Sequence, residues 1–211
     1  MRVVVTGGCG FIGRRLALKL LEQGALPNPS GGMDEIESLV LFDIGEPTPP
    51  IPPDPRLSIV TGDICSDVDI GALIGPSVDV VYHFAAVVSS GAEADFDLGM
   101  RVNFDGARTV LEACRKLETG PRFIFSSSVA AYGGDMPSVI EDGTAMTPQT
   151  SYGSQKAMCE LLVNDYTRKG FVDGRTLRLP TVVVRPGKPN KAASTWASSI
   201  IREPLQGQEA V

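Results

Sequence analysis

The chain of 211 residues contains a single histidine, His83, and this scarcity excludes whole classes of site. A zinc site built on two or three histidines cannot form, and a Ser-His-Asp triad would have to be centred on His83. The four cysteines lie far apart and include no CxxC pair, which argues against a thiolate metal site. We therefore expect no bound metal, and reduced thiols as in a cytoplasmic protein.

Long apolar runs and an excess of positive charge are also missing. No apolar stretch approaches the roughly 20 residues of a membrane span, and the N-terminus lacks the pattern of a signal peptide. Acidic residues outnumber basic ones by 25 to 19, so neither nucleic acid nor an anionic membrane is expected as the main partner. Hydrophobic residues make up 43% of the chain, which is typical of a globular protein rather than a disordered one.

Short β-branched apolar runs alternate with helical patterns along the chain. The predicted strands are continuous apolar stretches at 3–5, 39–42, 57–60, 78–84, 123–125 and 176–184. The predicted helices have apolar residues at helical spacing and cover 11–23, 92–117 and 154–168. Residues 27–38 and the proline-rich 46–55 are expected to be loops. This alternation predicts an α/β fold with a doubly wound parallel sheet, the Rossmann fold.

A glycine-rich segment, Thr-Gly-Gly-Cys-Gly-Phe-Ile-Gly at 6–13, lies between the first predicted strand and the first predicted helix. Gly7 permits the tight turn, Gly10 lets the backbone approach a pyrophosphate, and Gly13 lets the helix pack closely on the strand. The helix N-terminus offers N–H groups and a partial positive charge to phosphates. Because of its position between strand and helix, this segment predicts a dinucleotide site.

Acidic residues follow the second and third predicted strands. Asp43 would accept hydrogen bonds from both ribose hydroxyls and would repel a 2′-phosphate, which favours NAD over NADP. Its distance along the chain from Gly13 is longer than usual, so we interpret 27–38 as an insertion. Asp63 and Ile64 would border the adenine; equally, Asp63 would be the N-cap of the next helix, and both interpretations stay open.

Tyr152 and Lys156 are four residues apart on a predicted helix and therefore share one face. The ordinary pKa of a tyrosine, about 10, is too high for a base at neutral pH, and a nearby ammonium group would lower it by stabilising the phenolate. Three serines, Ser126 to Ser128, end the fifth predicted strand at the carboxyl edge of the sheet, where ligands bind in this fold. One of their hydroxyls would orient a substrate oxygen toward Tyr152.

These motifs, with His83-Phe84-Ala85-Ala86 and Tyr152-Gly-Ser-Gln-Lys156, resemble the extended short-chain dehydrogenase/reductase family, of the NAD-dependent epimerase/dehydratase type. The resemblance covers residues 3–186. It implies that Ser128, Tyr152 and Lys156 are catalytic, and that His83 is a strand-end residue beside the cofactor rather than a base. It also implies an NAD site lined by Gly7, Gly10, Phe11, Ile12, Gly13, Asp43, Asp63, Ile64, Phe84, Ala85, Ala86, Asn103, Ser126, Tyr152, Lys156 and Pro180. Asn103 would lie near the nicotinamide or in a water relay.

Two stretches distinguish among the members of this family. Val129 and Ala130 follow Ser128 where the family's dehydratases carry an acidic pair, so dehydration is not expected. Leu179, Pro180 and Thr181 replace the aromatic pair and asparagine of the epimerases. The stretch resembles that of family members that use NAD to oxidise the C2 hydroxyl of a short sugar acid.

Such a substrate is a small anion, and the residues implied for it are Ser89, Ser128, Tyr152, Thr181 and Arg185. Arg185 would bind the carboxylate through two parallel hydrogen bonds, with Lys188 and Lys191 following it. A sugar-nucleotide epimerase remains an alternative, because its diphosphate substrate would attract the same cations. A catalytically silent NAD-binding fragment is the third interpretation.

The domain organisation follows from the resemblance. Residues 1–186 are expected to form the NAD-binding Rossmann domain, and 187–211 the start of an incomplete substrate-binding domain, because chains of this family usually continue further. We therefore expect a fragment that lacks part of the substrate pocket and whose own activity is doubtful. The apolar surface left exposed would favour association, with a homodimer as the expected assembly.

Overall fold

The computed structural model describes residues 1–117, 119–185 and 194–210. Within these residues the strands are short, three to seven residues each, and are β1 (Arg2–Thr6), β2 (Ala25–Pro27), β3 (Met33–Glu35), β4 (Ser38–Asp43), β5 (Leu57–Thr61), β6 (Val78–His83), β7 (Arg122–Ser128) and β8 (Asp173–Leu179). Six of them form one parallel sheet in the order β5-β4-β1-β6-β7-β8. The predicted doubly wound parallel α/β fold is confirmed.

Helices connect the strands and cover both faces of the sheet. The α-helices of the described residues are α1 (Phe11–Gln23), α2 (Asp67–Leu73), α3 (Ser89–Ala94), α4 (Phe96–Gly99), α5 (Gly106–Arg115), α6 (Ser151–Arg168) and α7 (Thr195–Leu205). A π-helical turn, Met100–Asp105, joins α4 to α5. A 3₁₀ turn, Val129–Ala131, follows β7.

The apolar strand residues divide between two cores because successive side chains point to opposite faces of the sheet. Val3 and Val5 belong to the core that includes Ala17 and Leu20 of α1, whereas Val4 belongs to the core on the other face. All three valines are fully buried. This explains why β1 is a continuous apolar run, as expected for a parallel sheet covered on both faces.

The segment 27–38 is not simply the loop that the sequence predicted. β2 and β3 form an antiparallel hairpin, in which the Asn28 side-chain oxygen accepts hydrogen bonds from the N–H groups of Ser30, at 3.1 Å, and Gly32, at 2.8 Å. Met33, Asp34 and Glu35 are exposed, so β3 has no buried face and no alternating apolar pattern to reveal it.

The single helix predicted at 92–117 is wrong, because the structure divides this stretch into four pieces. Asp95 has an extended backbone between α3 and α4, and its side chain caps α4 by accepting a hydrogen bond from the Leu98 N–H at 2.9 Å. The turn at Met100–Asp105 then changes the helical repeat before α5 begins. The spacing of apolar residues does not reveal the break at Asp95 or the π-helical turn.

The last strand also differs from its prediction. β8 ends at Leu179, so Pro180 lies after the strand rather than inside it, because proline has no N–H group to donate to a sheet ladder. α7 was not predicted. The proposed domain boundary after residue 186 lies outside the described residues and stays a prediction.

No helix in the part of the chain that the structure describes has the length and apolar character needed to cross a membrane.

Candidate active site

The glycine-rich loop follows β1 at the carboxyl edge of the sheet. Gly7 has φ +67°, and a Cβ at this position would lie 2.6 Å from the backbone nitrogen of Ala85. A Cβ at Gly13 would lie 2.3 Å from the Gly7 carbonyl oxygen. The tight turn and the close helix packing that the sequence predicted are therefore both present.

The N-terminus of α1 opens from this loop with its first-turn N–H groups uncapped by a side chain. Gly10 is the N-cap residue, and the first turn carries no acidic residue. Gly10 is exposed, while Phe11 and Ile12 are half-buried. Uncapped N–H groups and the positive end of the helix dipole suit an anionic group such as a phosphate.

Asp43 ends β4 directly beside this loop. One carboxylate oxygen accepts a hydrogen bond from the Cys9 N–H at 3.0 Å, and the other accepts one from the Ile44 N–H at 2.8 Å. The half-buried carboxylate is thus held against the glycine-rich loop and keeps further lone pairs for ribose hydroxyls. Despite the longer spacing from Gly13, the fold places Asp43 where the sequence argument required it.

Asp63 follows β5 and is an exposed ion-pair residue, not an N-cap. The Cys65 N–H and the Arg101 guanidinium, at 3.0 and 3.1 Å, hold the pKa of its carboxyl below the ordinary value. Ser66 is the N-cap of α2, and its hydroxyl accepts the Asp69 N–H. The N-cap interpretation of Asp63 is therefore wrong; a place beside the adenine for it and the buried Ile64 stays a prediction.

The loop after β6 contains Phe84, Ala85 and Ala86, all half-buried, and lies against Gly7. The buried Asn103 holds this loop: its oxygen accepts the Val87 N–H at 2.7 Å, and its amide nitrogen donates to the Val87 carbonyl at 3.1 Å and to Gln155 at 2.7 Å. Both amide hydrogens of Asn103 are thus bonded within the protein, and its side chain links this loop to α6. The predicted role beside the nicotinamide would fall to its one remaining oxygen lone pair.

The three serines at the end of β7 have different partners. The Ser126 hydroxyl is buried and donates to the His83 carbonyl at 3.0 Å, and its predicted place beside the cofactor stays a prediction. Ser127 donates to Glu160. Ser128 is half-buried, accepts the Ala130 N–H at 3.1 Å and lies near enough to Tyr152 to act on the pKa of its phenol. Of the three, Ser128 is the one that is not fully buried, and its predicted role of orienting a substrate oxygen stays a prediction.

Tyr152 and Lys156 lie on one face of α6, with the Lys156 ammonium nitrogen 5.6 Å from the centre of the Tyr152 ring. That nitrogen donates to the Ser126 carbonyl at 2.8 Å, and burial lowers the pKa of Lys156 to about 8. Burial raises the pKa of Tyr152, although the nearby Ser128 hydroxyl and the Arg185 charge each act to lower it. The lowering expected from Lys156 together with a bound nicotinamide stays a prediction.

His83 ends β6 inside the core and is 1% exposed. Its ring lies between the rings of Phe123 and Phe125, each 5.9 Å away, and its Nδ1 hydrogen-bonds with the Thr6 hydroxyl at 2.8 Å. Its Nε2 has no hydrogen-bond partner among the described residues. Burial and the Lys156 charge lower the pKa of His83 to about 3, so the neutral ring is a core residue and not a base.

Acid will destabilise the protein through His83. The unfolded chain takes up this proton near pH 6.5, whereas the folded chain does so only near 3, so the free energy of unfolding falls as the pH drops between those values. From about pH 7 to about pH 5 we expect a loss of roughly 2 kcal/mol in urea unfolding, absent in His83→Gln. The resonance of this one histidine ring should stay constant in the folded protein over that range; a titration near pH 6.5 would contradict the prediction.

The remaining predicted substrate residues follow β6 and β8. Ser89 begins α3 and is half-buried, while Pro180 and Thr181 are exposed just after β8. Arg185 is half-buried, with its guanidinium carbon 6.0 Å from the centre of the Phe11 ring. The fold thus brings Arg185 to the start of α1 as well as to Tyr152. Lys188 and Lys191 lie outside the described residues.

A buried ion pair beneath the serines was not predicted from the sequence. Glu160 lies on α6 one turn beyond Lys156, and Arg178 on β8 donates from Nε to both of its carboxylate oxygens at 3.0 Å. Arg178 also donates to the Tyr132 hydroxyl, while Glu160 accepts from Ser127. A signal was present, because Tyr152, Lys156 and Glu160 repeat every four residues and so share one face of a helix.

Comparison with known proteins gives relatives along the full chain. Identity is 55% with a D-erythronate dehydrogenase from Cupriavidus necator, over 98% of this chain and 63% of that protein. A D-erythronate dehydrogenase from Haemophilus influenzae is 52% identical over 100% of this chain and 64% of its own length. The crystal structure of a nucleoside-diphosphate-sugar epimerase from Agrobacterium tumefaciens superposes with a TM-score of 0.88 at 42% identity, covering 100% of this chain and 61% of that one.

The chain spans less than two thirds of the length of each of these relatives. Residues 3–211 match the family described as the NAD dependent epimerase/dehydratase family. That match includes the glycine-rich loop, the serines at the end of β7 and the Tyr152 and Lys156 pair, which the fold places at one edge of the sheet. The chain belongs to the NAD dependent epimerase/dehydratase family.

Proposed function

We propose that this chain carries the NAD-binding and proton-transferring part of a dehydrogenase that oxidises the C2 hydroxyl of a short sugar acid, such as D-erythronate, to the 2-oxo acid. One observation carries the proposal: the Tyr152 ring lies 5.6 Å from the Lys156 ammonium nitrogen, beside Ser128 and Arg185, both of which act to lower the pKa of its phenol. The two relatives named D-erythronate dehydrogenase support the choice of substrate.

The residues at this edge suit NAD. The loop around Gly7 leaves no room for a side chain, and α1 presents uncapped N–H groups for the pyrophosphate. The Asp43 carboxylate would accept hydrogen bonds from the adenosine ribose and repel a 2′-phosphate. Lys156 has one of its three donors on the Ser126 carbonyl, which leaves others for the nicotinamide ribose. The chemistry that bound NAD supplies is hydride acceptance.

The protein's own groups supply proton transfer and positioning. Ser128 would hold the substrate hydroxyl against Tyr152 by a hydrogen bond, and Tyr152 would take the hydroxyl proton on its phenolic oxygen. Because burial raises the pKa of Tyr152, the phenol needs added positive charge before it serves as a base. Arg185 provides part of that charge, and the oxidised nicotinamide would provide more.

Arg185 would also bind the substrate carboxylate. Its planar guanidinium can donate two parallel hydrogen bonds to a carboxylate. Among residues 1–117, 119–185 and 194–210, no carboxylate forms an ion pair with it. We assign Ser89 and Thr181 to the substrate hydroxyls, because they follow β6 and β8 at the same edge of the sheet.

The test is a substrate comparison in the presence of NAD. Four-carbon sugar acids and UDP-sugars would be incubated with the chain while the absorbance of the reduced cofactor is followed. We expect the reduced cofactor to accumulate with D-erythronate and not with any UDP-sugar. An epimerase, which the name of the Agrobacterium tumefaciens relative suggests, would convert a UDP-sugar without net reduction. NAD binding with neither reaction would identify a silent fragment.

Three further proposals concern the setting of the protein. The four free thiols, Cys9, Cys65, Cys114 and Cys159, are consistent with the cytoplasmic location expected from the sequence. Exposed apolar side chains such as Phe96 and Leu161 support a homodimer. Residues 187–211 would begin the substrate-binding domain.

A further inference from the structure

The helix α7 packs against the rest of the protein with its polar side. Ser198, Ser199 and Arg202 are at most 5% exposed, whereas Trp196 is 62% and Ile200 57% exposed. An ordinary surface helix shows the reverse arrangement, because burying a charge costs free energy unless that charge is hydrogen-bonded and paired. The polar side chains of α7 must therefore have hydrogen-bonding partners in the rest of the protein.

The buried polar side chains of α7 contact the backbone of Arg185. The Arg185 N–H donates to the Ser198 hydroxyl at 3.1 Å, and the Arg202 guanidinium donates from Nη1 to the Arg185 carbonyl at 2.8 Å. From Nη2, Arg202 also donates to Ser199 at 3.2 Å and to Glu203 at 2.5 Å. Arg185 lies beyond the end of β8, so its backbone is not part of the sheet. Its N–H and carbonyl groups are bound instead by the side chains of Ser198 and Arg202.

The same residue carries its side chain into the site. The Arg185 guanidinium lies over the Phe11 ring at the start of α1 and acts on the Tyr152 phenol. A residue whose backbone is fixed at both its N–H and its C=O presents its side chain in a narrower range of positions. Arg202 is itself fixed by the Glu203 carboxylate, which is also buried.

We propose that Arg202, held by Glu203, is a positioning residue that fixes Arg185 for binding the substrate carboxylate. The inference rests on the proposed function, because the carboxylate role of Arg185 belongs to it. Arg202 touches neither the substrate nor NAD in this proposal. It acts through the Arg185 backbone, and its effect must therefore disappear when the Arg185 side chain is removed.

A double-mutant cycle tests this coupling. Arg202→Gln and Arg185→Gln would be made singly and together, and the dissociation constant of D-erythronate measured by calorimetry in the presence of NADH. We expect about 10- to 100-fold weaker binding for Arg185→Gln, from the loss of a charged hydrogen-bonding partner. Arg202→Gln should weaken binding about 10-fold when Arg185 is present and less than about twofold in the Arg185→Gln background. Equal weakening in both backgrounds, or none in either, would overturn the proposal.

Controls separate positioning from folding. Arg168→Gln removes an exposed arginine of α6 that pairs with Asp165, and it should leave the D-erythronate affinity unchanged. Ser198→Ala removes only the acceptor of the Arg185 N–H and should weaken binding in the same direction as Arg202→Gln, which keeps the proposal testable should Arg202→Gln not fold. The affinity for NADH should also be unchanged in Arg168→Gln.

A second readout does not depend on the substrate. Because the Arg185 charge lowers the pKa of Tyr152, ultraviolet titration against Tyr152→Phe should show a higher phenol pKa in both Arg185→Gln and Arg202→Gln. If Arg185→Gln binds D-erythronate normally but raises the phenol pKa, the proposed role of Arg185 in binding the carboxylate is wrong. The phenol pKa of Arg202→Gln would still test whether Arg202 positions Arg185. A phenol pKa that rises in Arg185→Gln but not in Arg202→Gln would refute the positioning role.

Discussion

Tyr152→Phe will lower turnover by orders of magnitude while the chain continues to bind NAD. The substitution removes only the phenolic oxygen, and with it the group that takes the proton from the substrate hydroxyl. General acid–base catalysis typically contributes about 10²- to 10⁴-fold, so we expect a loss of that order in kcat. The measurement is the rate of NAD reduction with D-erythronate, alongside calorimetric binding of NADH.

Ser128→Ala and Tyr166→Phe complete this experiment. Ser128→Ala removes the hydroxyl that orients the substrate but leaves the proton acceptor, so its loss of turnover should be smaller. Tyr166 lies near the far end of α6, where its hydroxyl contacts Glu112, and Tyr166→Phe should keep its activity. Unchanged turnover in Tyr152→Phe would remove the proposed mechanism.

The part of the fold that the sequence predicted is the part with a strong periodic pattern. The buried strands β1 and β4 and the helix α1 could be predicted because their apolar residues keep one regular spacing along the whole element. β3 has no buried residue, and the pieces between residues 89 and 115 are separated by a cap and a π-helical turn. Such features depend on hydrogen bonds, which a hydropathy pattern does not encode.

For the site, the sequence identified side chains but not their connections. Ser128, Tyr152 and Asp43 lie where their motifs predicted, because each motif is local to one strand end or one helix turn. Arg202 reaches the Arg185 carbonyl across 17 positions of sequence, and no local rule relates the two. The same holds for the pair of Glu160 and Arg178, which the packing of α6 on β8 creates.

Arg178→Leu will cost much of the protein's stability. Arg178 makes three hydrogen bonds to the Glu160 carboxylate, whose side chain is 4% exposed. Removing the guanidinium leaves a buried negative charge without its partner. Breaking a fully buried pair typically costs about 3–5 kcal/mol, and we expect a loss at the lower end of this range because the Arg178 side chain is 27% exposed. Urea unfolding at neutral pH measures this loss. The exposed pair of Arg168 and Asp165 is the matched control, since Arg168→Leu should cost less than about 1 kcal/mol.

The double variant Glu160→Gln/Arg178→Leu shows whether the stranded charge is the cause. Its neutral amide still offers an oxygen to the Ser127 hydroxyl, so the buried acceptor is kept while the charge is gone. We expect it to be more stable than Arg178→Leu alone, although it has lost one more native group. If the double variant is instead the less stable one, the lost hydrogen bonds and packing, rather than the unpaired carboxylate, account for the destabilisation.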